Sequence, residues 1–204
     1  MSEFIYNTAD VVSQAAAAPK PQFLGYELCD QKDPVLITKL NDFDFTNTEL
    51  NPSEIASRLI ATCKFHKVYG IAANQCGLEH RVLVAGVEDN FVAFFNPIVI
   101  DKSDDEILLE ESDLSNMGLL MAVKRPVTVI VSYQDFEGNE KTNRFDGLTS
   151  RIVQQGIDRL NGIDFKTKVS KFVLERAEIA LNKKIKKIIK SHMIMKKRGK
   201  NGKK

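Results

Sequence analysis

The stretch Val153–Phe165, VQQGIDRLNGIDF, decides how the rest of the chain is read. Ile157 and Leu160 stand three apart and mark the apolar face of a helix. Leu160-Asn161-Gly162 closes that helix, because glycine takes the left-handed cap conformation without strain. Gln155 and Arg159 stand four apart, so they project from one face. Two histidines at that spacing, with a glutamate beside the first, hold the metal ion of a zinc hydrolase. Here neither position is histidine, and the glutamate place is Gly156. The scaffold of a metal helix is present without its usual donors.

Outward from this helix, expected over about Thr149 to Leu160, the preceding sequence has β character. RVLVAGV, FVAFFNPIVI, LLMAVKR and VTVIVSYQDFEGNEKTNRFDG are rich in β-branched and aromatic residues, with Glu137-Gly138-Asn139 as a hairpin turn. Further upstream, NPSEIASRLIATCKFHKV reads as a helix. Asn51 caps it, Pro52 suits its first turn and Glu54 favours its positive end. Ile55, Leu59, Ile60 and Cys63 form its buried stripe. Downstream, a last helix is expected from about Lys168 to Lys197, with Leu174, Leu181, Ile185, Ile188 and Met195 along one side. Three parts follow: an Ala/Pro-interrupted extension over residues 1–24, a folded domain over 25–167, and a basic helix and tail over 168–204.

A chain of 204 residues suffices for one sizeable domain. No apolar run approaches the roughly 20 residues of a membrane-spanning helix, and the first ten residues lack a signal-peptide pattern. Cys29, Cys63 and Cys76 form no Cys-x-x-Cys pair, which fits a reducing compartment and argues against a zinc-thiolate site. Cys63 and Cys76 read as packed side chains. His66, His80 and His192 give no ligand spacing. The net charge of +2 hides an asymmetry: residues 166–204 carry 15 Lys/Arg against two acids, a net of +13. The preceding 165 residues carry 14 basic against 25 acidic residues, a net of −11. Such a tail points to a phosphate-rich or acidic partner.

Three segments, in order, resemble the peptide deformylase family, whose members remove the N-formyl group from new proteins using a bound divalent metal. VYGIAANQCGL is similar to the first family motif, departing at Val68. Glu111, Ser112, Asp113, Leu114 and Ser115 stand in the place of the second, and QQGIDRLNG in that of the third, each with altered positions. DPVL near the start, NPIVIDKSDDEILLEES before the second motif and RPVTVIVSYQDFEGN before the third fall in the expected order. The resemblance covers roughly residues 28–180 and implies an α+β fold, with antiparallel strands around a central helix and a long basic C-terminal helix.

The resemblance also assigns roles. The metal-binding cysteine position is Asp113, the two histidine positions are Gln155 and Arg159, and the general acid–base glutamate position is Gly156. Gln75 and the backbone amide of Leu114 remain from the groups that stabilise the oxyanion. Asp158 persists without a histidine to orient. Gln75 either binds a peptide carbonyl or holds the backbone of the second motif. Asp113 and Arg159 are expected to pair across the old ligand sphere, with Gln155 satisfying a polar group beside them.

These replacements lead to the expectation of no metal, no cofactor and no enzymatic activity. The expected function is a structural or docking component of a large assembly, a phage-type virion being favoured over a ribosome-associated factor that binds rRNA or the exit region. A divergent active deformylase ranks last. The expected partners are other proteins of the assembly, or ribosome or nucleic acid held by the tail, with no membrane. The contact residues would be Lys183, Lys184, Lys186, Lys187, Lys190, Lys196, Lys197, Arg198, Lys200, Lys203 and Lys204. The expected place is a bacterial or infected-cell cytoplasm, or a virion.

Overall fold

Seven strands and three α-helices make up the fold among the described residues, which are 23–87 and 89–201 of a computed structural model. The strands are β1 (Gly70–Ala72), β2 (Val82–Val87), β3 (Asn90–Lys102), β4 (Glu106–Glu111), β5 (Met121–Pro126), β6 (Thr128–Gln134) and β7 (Glu140–Asp146). The helices are α1 (Pro52–His66), α2 (Gly147–Leu160) and α3 (Lys171–Asn201). One antiparallel sheet has the order β1-β2-β3-β6-β7, and β4 and β5 pair as a separate hairpin. This is the expected α+β fold.

Strand β2 explains why the sheet is covered on both faces. Its residues 82–85 are all buried, and side chains alternate across a strand. Val82 and Val84 join Ile55, Leu59, Cys63 and Phe95 in a cluster beneath α1. Leu83 and Ala85 join Phe94, Val131, Val153, Ile157 and Leu160 in a cluster beneath α2. A run of apolar residues without polar alternation is what a strand between two helices requires.

The caps follow the sequence. Asn51 accepts from the Glu54 N–H at 3.0 Å, and Gly162 takes φ 72° just past α2. Gly138 stands at φ 84° in the expected β6–β7 turn. Other boundaries shift. Helix α2 begins two residues earlier than expected, at Gly147. The last helix begins at Lys171 rather than Lys168, because Asp164 caps a separate 3-10 turn, Phe165–Lys168, by accepting the Lys166 N–H. Strands β1 and β4 are not expected from the sequence. β4, EILLEE, is exposed at every position but Glu111, so it lacks the alternation of a half-buried strand.

Helix α3 packs on the β4–β5 hairpin over its first third. Leu174, Ala177 and Leu181 meet Leu119, Met121, Val123 and Phe165. Ile185, expected to pack with them against the domain or a partner, does not meet the domain and is exposed together with Ile188, Ile189 and Met193. The extension expected over residues 1–24 lies outside the described residues up to position 22, as do Lys203 and Lys204.

Candidate functional site

The third-motif helix, the second-motif turn and the first-motif strand converge on one cleft of about 430 Å³. Gly70, Ile71 and Gln75 line it from the first motif, Ser112, Asp113 and Leu114 from the second, and Gln155, Gly156 and Arg159 from α2. Each element is pinned where it enters. The Asn74 side chain donates to the Arg159 carbonyl at 2.7 Å, and Arg81 donates to the Leu160 carbonyl at 3.3 Å. Both bonds satisfy carbonyls that the end of a helix leaves open. Asp113 caps the 3-10 turn Leu114–Asn116 by accepting the Ser115 N–H at 2.7 Å.

Asp113 and Arg159, 46 residues apart, form the expected ion pair. Arg159 Nε donates to Asp113 Oδ2 at 2.8 Å, and both side chains are 2 % exposed. A partner the sequence did not suggest, Asp164, accepts from Arg159 Nη1 at 3.4 Å. Gln155 Nε2 donates to the Ser112 carbonyl at 2.9 Å, tying α2 to the second motif. Gln75 settles between its two readings towards the internal one, through the side chains of the second motif rather than its backbone. It donates to Asp113 Oδ1 and Ser115 Oγ, both at 3.3 Å, while its Oε1 accepts from the Ala72 N–H at 2.9 Å. Two buried side-chain atoms lack a protein partner among the described residues: Asn74 Oδ1 and Arg159 Nη2.

The burial of Asp164 works against its charge. The Lys166 N–H, the Arg159 charge and the Asn116 amide outweigh that burial and hold its carboxyl below the ordinary 3.8. Burial pushes the Cys63 and Cys76 thiols up to about 12, which keeps both protonated and unreactive, in line with their reading as packed side chains.

A second charged cluster lies beside the first, and sequence reasoning missed it. Arg125 grips Glu111 with two bonds, Nε to Oε1 at 2.6 Å and Nη2 to Oε2 at 3.0 Å. Arg151 Nη1 also reaches Glu111 Oε1, and donates to the Val123 carbonyl at 2.9 Å. Arg125 Nη1 continues to Asp158 Oδ2 at 2.7 Å, and Lys168 meets Asp158 Oδ1 at 3.1 Å. Asp158, which has no histidine to orient, thus ties α2 to β5. The available signal was the helical spacing of Arg151, Gln155, Asp158 and Arg159, which would ordinarily read as a solvated face.

The family resemblance implies a divalent metal between positions 113, 155 and 159, and the residues present do not fit one. Both Asp113 oxygens are engaged by donors. Arg159 carries a permanent positive charge, and Arg has no lone pair to offer. At 4 Å and an effective dielectric of 20, a guanidinium and a divalent ion repel by about 8 kcal/mol, twice the figure for unit charges. Position 156 is also constrained. A Cβ there would lie 3.0 Å from both Leu83 methyls, so the glycine lets α2 lie close on β2. Both N–H groups of the Gln75 amide are engaged, so the side-chain donor here without a protein acceptor among the described residues is Arg159 Nη2.

Comparison with known proteins matches this arrangement to one family. The sequence profile described as polypeptide deformylase matches residues 26–174. A peptide deformylase of Dictyoglomus thermophilum is 36% identical over 131 residues, which are 64% of this chain and 84% of that protein. Among solved structures, a peptide deformylase from Synechococcus elongatus in complex with actinonin superposes with a TM-score of 0.70 at 27% identity. It covers 77% of this chain and 86% of that one. A Met-Ala-Ser-bound class I type b peptide deformylase from Acinetobacter baumannii gives 0.68 at 26% identity, over 72% of this chain and 100% of that one.

These findings correct the function expected from the sequence. The expectation of an inactive docking component, with a virion favoured and a ribosome-bound factor second, rested on the altered ligand positions, the N-terminal extension and the basic tail. Relatives at 31–36% identity over most of the chain bear an enzyme's name, and they point to a peptide deformylase instead.

Proposed function

The chain belongs to the polypeptide deformylase family, and from that premise we propose that its cleft takes the N-terminal end of a polypeptide, with deformylation as the reaction. The observation that carries this reading is the open edge of β1 at the cleft. β1 pairs with β2 on one side and, among the described residues, with no strand on the other. The Gly86 N–H bonds the Tyr69 carbonyl, so by antiparallel alternation Ile71 also faces β2, and Gly70 turns its backbone groups to the open edge. An extended peptide would add there as a further strand. Its direction would bring a terminal acyl oxygen towards the Arg159 guanidinium, whose Nη2 lacks a protein acceptor among the described residues. The Acinetobacter baumannii relative was solved with the tripeptide Met-Ala-Ser bound, which supports a peptide as the ligand class.

The test is titration of the purified full chain with formyl-Met-Ala-Ser, reading binding by calorimetry and formate release by a coupled assay. Saturable binding weakened by Gly70→Pro, which removes the N–H at the strand edge, together with formate release above the solution rate, is the expected result. Binding without release keeps the peptide and withdraws deformylation. A peptide that neither binds nor reacts overturns the proposal. Release abolished by a chelator would place a metal at this site and overturn the reading of its donors.

A further inference from the structure

We propose that the outer part of α3 lies on an anionic lipid surface, its isoleucine stripe among the acyl chains and its lysines among the headgroups. This goes beyond the peptide cleft and does not depend on it. The helix is 31 residues long, yet Leu181 is the last of its residues packed against the domain cluster. Beyond it, Ile185, Ile188, Ile189 and Met193 stand exposed at i, i+3, i+4 and i+8, with His192 on the same face. At 100° per residue this face spans roughly 140° from Ile188 to Met193. Lys184 flanks one edge and Lys186 the other, while Lys183, Lys187 and Lys190 cover the opposite side.

Charge selects the partner. From Ile179 to the end, the chain carries 11 Lys/Arg and no acid. Lys183, Lys186, Lys187 and Lys190 are three or four apart along the helix, so they repel one another, and an anionic surface relieves that repulsion. A second copy of this helix, equally basic, would add to it. Nucleic acid would neutralise the lysines but leave the isoleucine stripe in water. A lipid surface with negative headgroups satisfies both faces at once. Among the described residues no helix is long and apolar enough to cross a membrane, so the helix would lie on the surface and not span it. The sequence reading expected no membrane partner. That expectation rested on the absence of a spanning segment, which does not bear on a surface helix.

The test is cosedimentation of the full chain with vesicles of phosphatidylcholine, alone or mixed with phosphatidylglycerol. Binding to the mixed vesicles alone is expected, falling with salt. Replacing Lys186, Lys187 and Lys190 by Gln should cost roughly fivefold in partitioning per lysine. Ile188→Glu with Ile189→Glu should abolish partitioning while leaving the cleft untouched. The chain has no tryptophan, so Ile189→Trp provides a single probe whose emission should shift to the blue on the mixed vesicles. Three results would overturn the proposal. The first is a chain that stays in the supernatant at low salt. The second is a Glu variant that sediments like the parent, showing charge attraction without insertion. The third is an acidic protein or an RNA that takes the helix while the mixed vesicles do not.

Discussion

Two charged clusters lie side by side against α2 and differ in one respect. Around Glu111, Arg125 and Arg151 converge on one carboxylate, and Asp158 and Lys168 extend the chain of contacts outward. Around Arg159, two carboxylates share one guanidinium, and its Nη2 keeps no protein acceptor among the described residues. The first cluster is closed and holds β4, β5 and α2 together. The second borders the cleft and has a donor to spare. Saturated buried charge crosslinks a fold, whereas a donor left over beside a cavity is what a ligand's acceptor would complete.

The largest expected effect breaks the closed cluster. Glu111→Gln leaves two buried guanidiniums facing a neutral amide, and should lower unfolding free energy by about 3–5 kcal/mol in urea titration. A loss below about 1 kcal/mol would mean that the cluster is not the crosslink described. Next comes the open centre. Asp113→Leu alone and Arg159→Met alone should each cost about 3 kcal/mol, since Asp164 remains to hold Arg159 in the first case. The double variant should fall well short of their sum, because it removes both charges together. A double-mutant cycle reads the coupling directly, and additive losses would dissolve the pair.

The smallest effect concerns Asp164 and has a fixed sign. Its carboxyl is lowered below the ordinary 3.8 in the folded state. The stability it adds is therefore complete above that value and is lost as pH falls through the lower folded one. Thermal unfolding across this acidic window should flatten in Asp164→Asn relative to the parent. An unchanged slope would assign the acid sensitivity to other carboxylates.

Legibility in the sequence follows the range of the interactions. The Asn51 cap, the Gly162 stop and the β6–β7 turn are set within a few residues and were read correctly. The resemblance placed Asp113 opposite Arg159, because the family fold fixes which distant segments meet. Glu111, Arg125, Arg151 and Asp164 were missed because a charged residue on a helix or strand ordinarily faces water. The functional expectation failed for a different reason: it was inferred from four altered positions and the two ends of the chain, whereas the comparisons weigh the domain between them.

The sequence by itself determined the local elements other than β1 and β4, the family motifs in their order, and the basic stretch without acids after Glu178. The tertiary structure decided which charges are buried together, since Arg159 meets Asp113 across 46 residues and Arg151 meets Glu111 across 40. It also decided that the apolar stripe of α3 is covered as far as Leu181 and open beyond. Helical periodicity fixes which residues share a face, but what that face meets depends on where the domain ends. Spacing along a chain carries no such information.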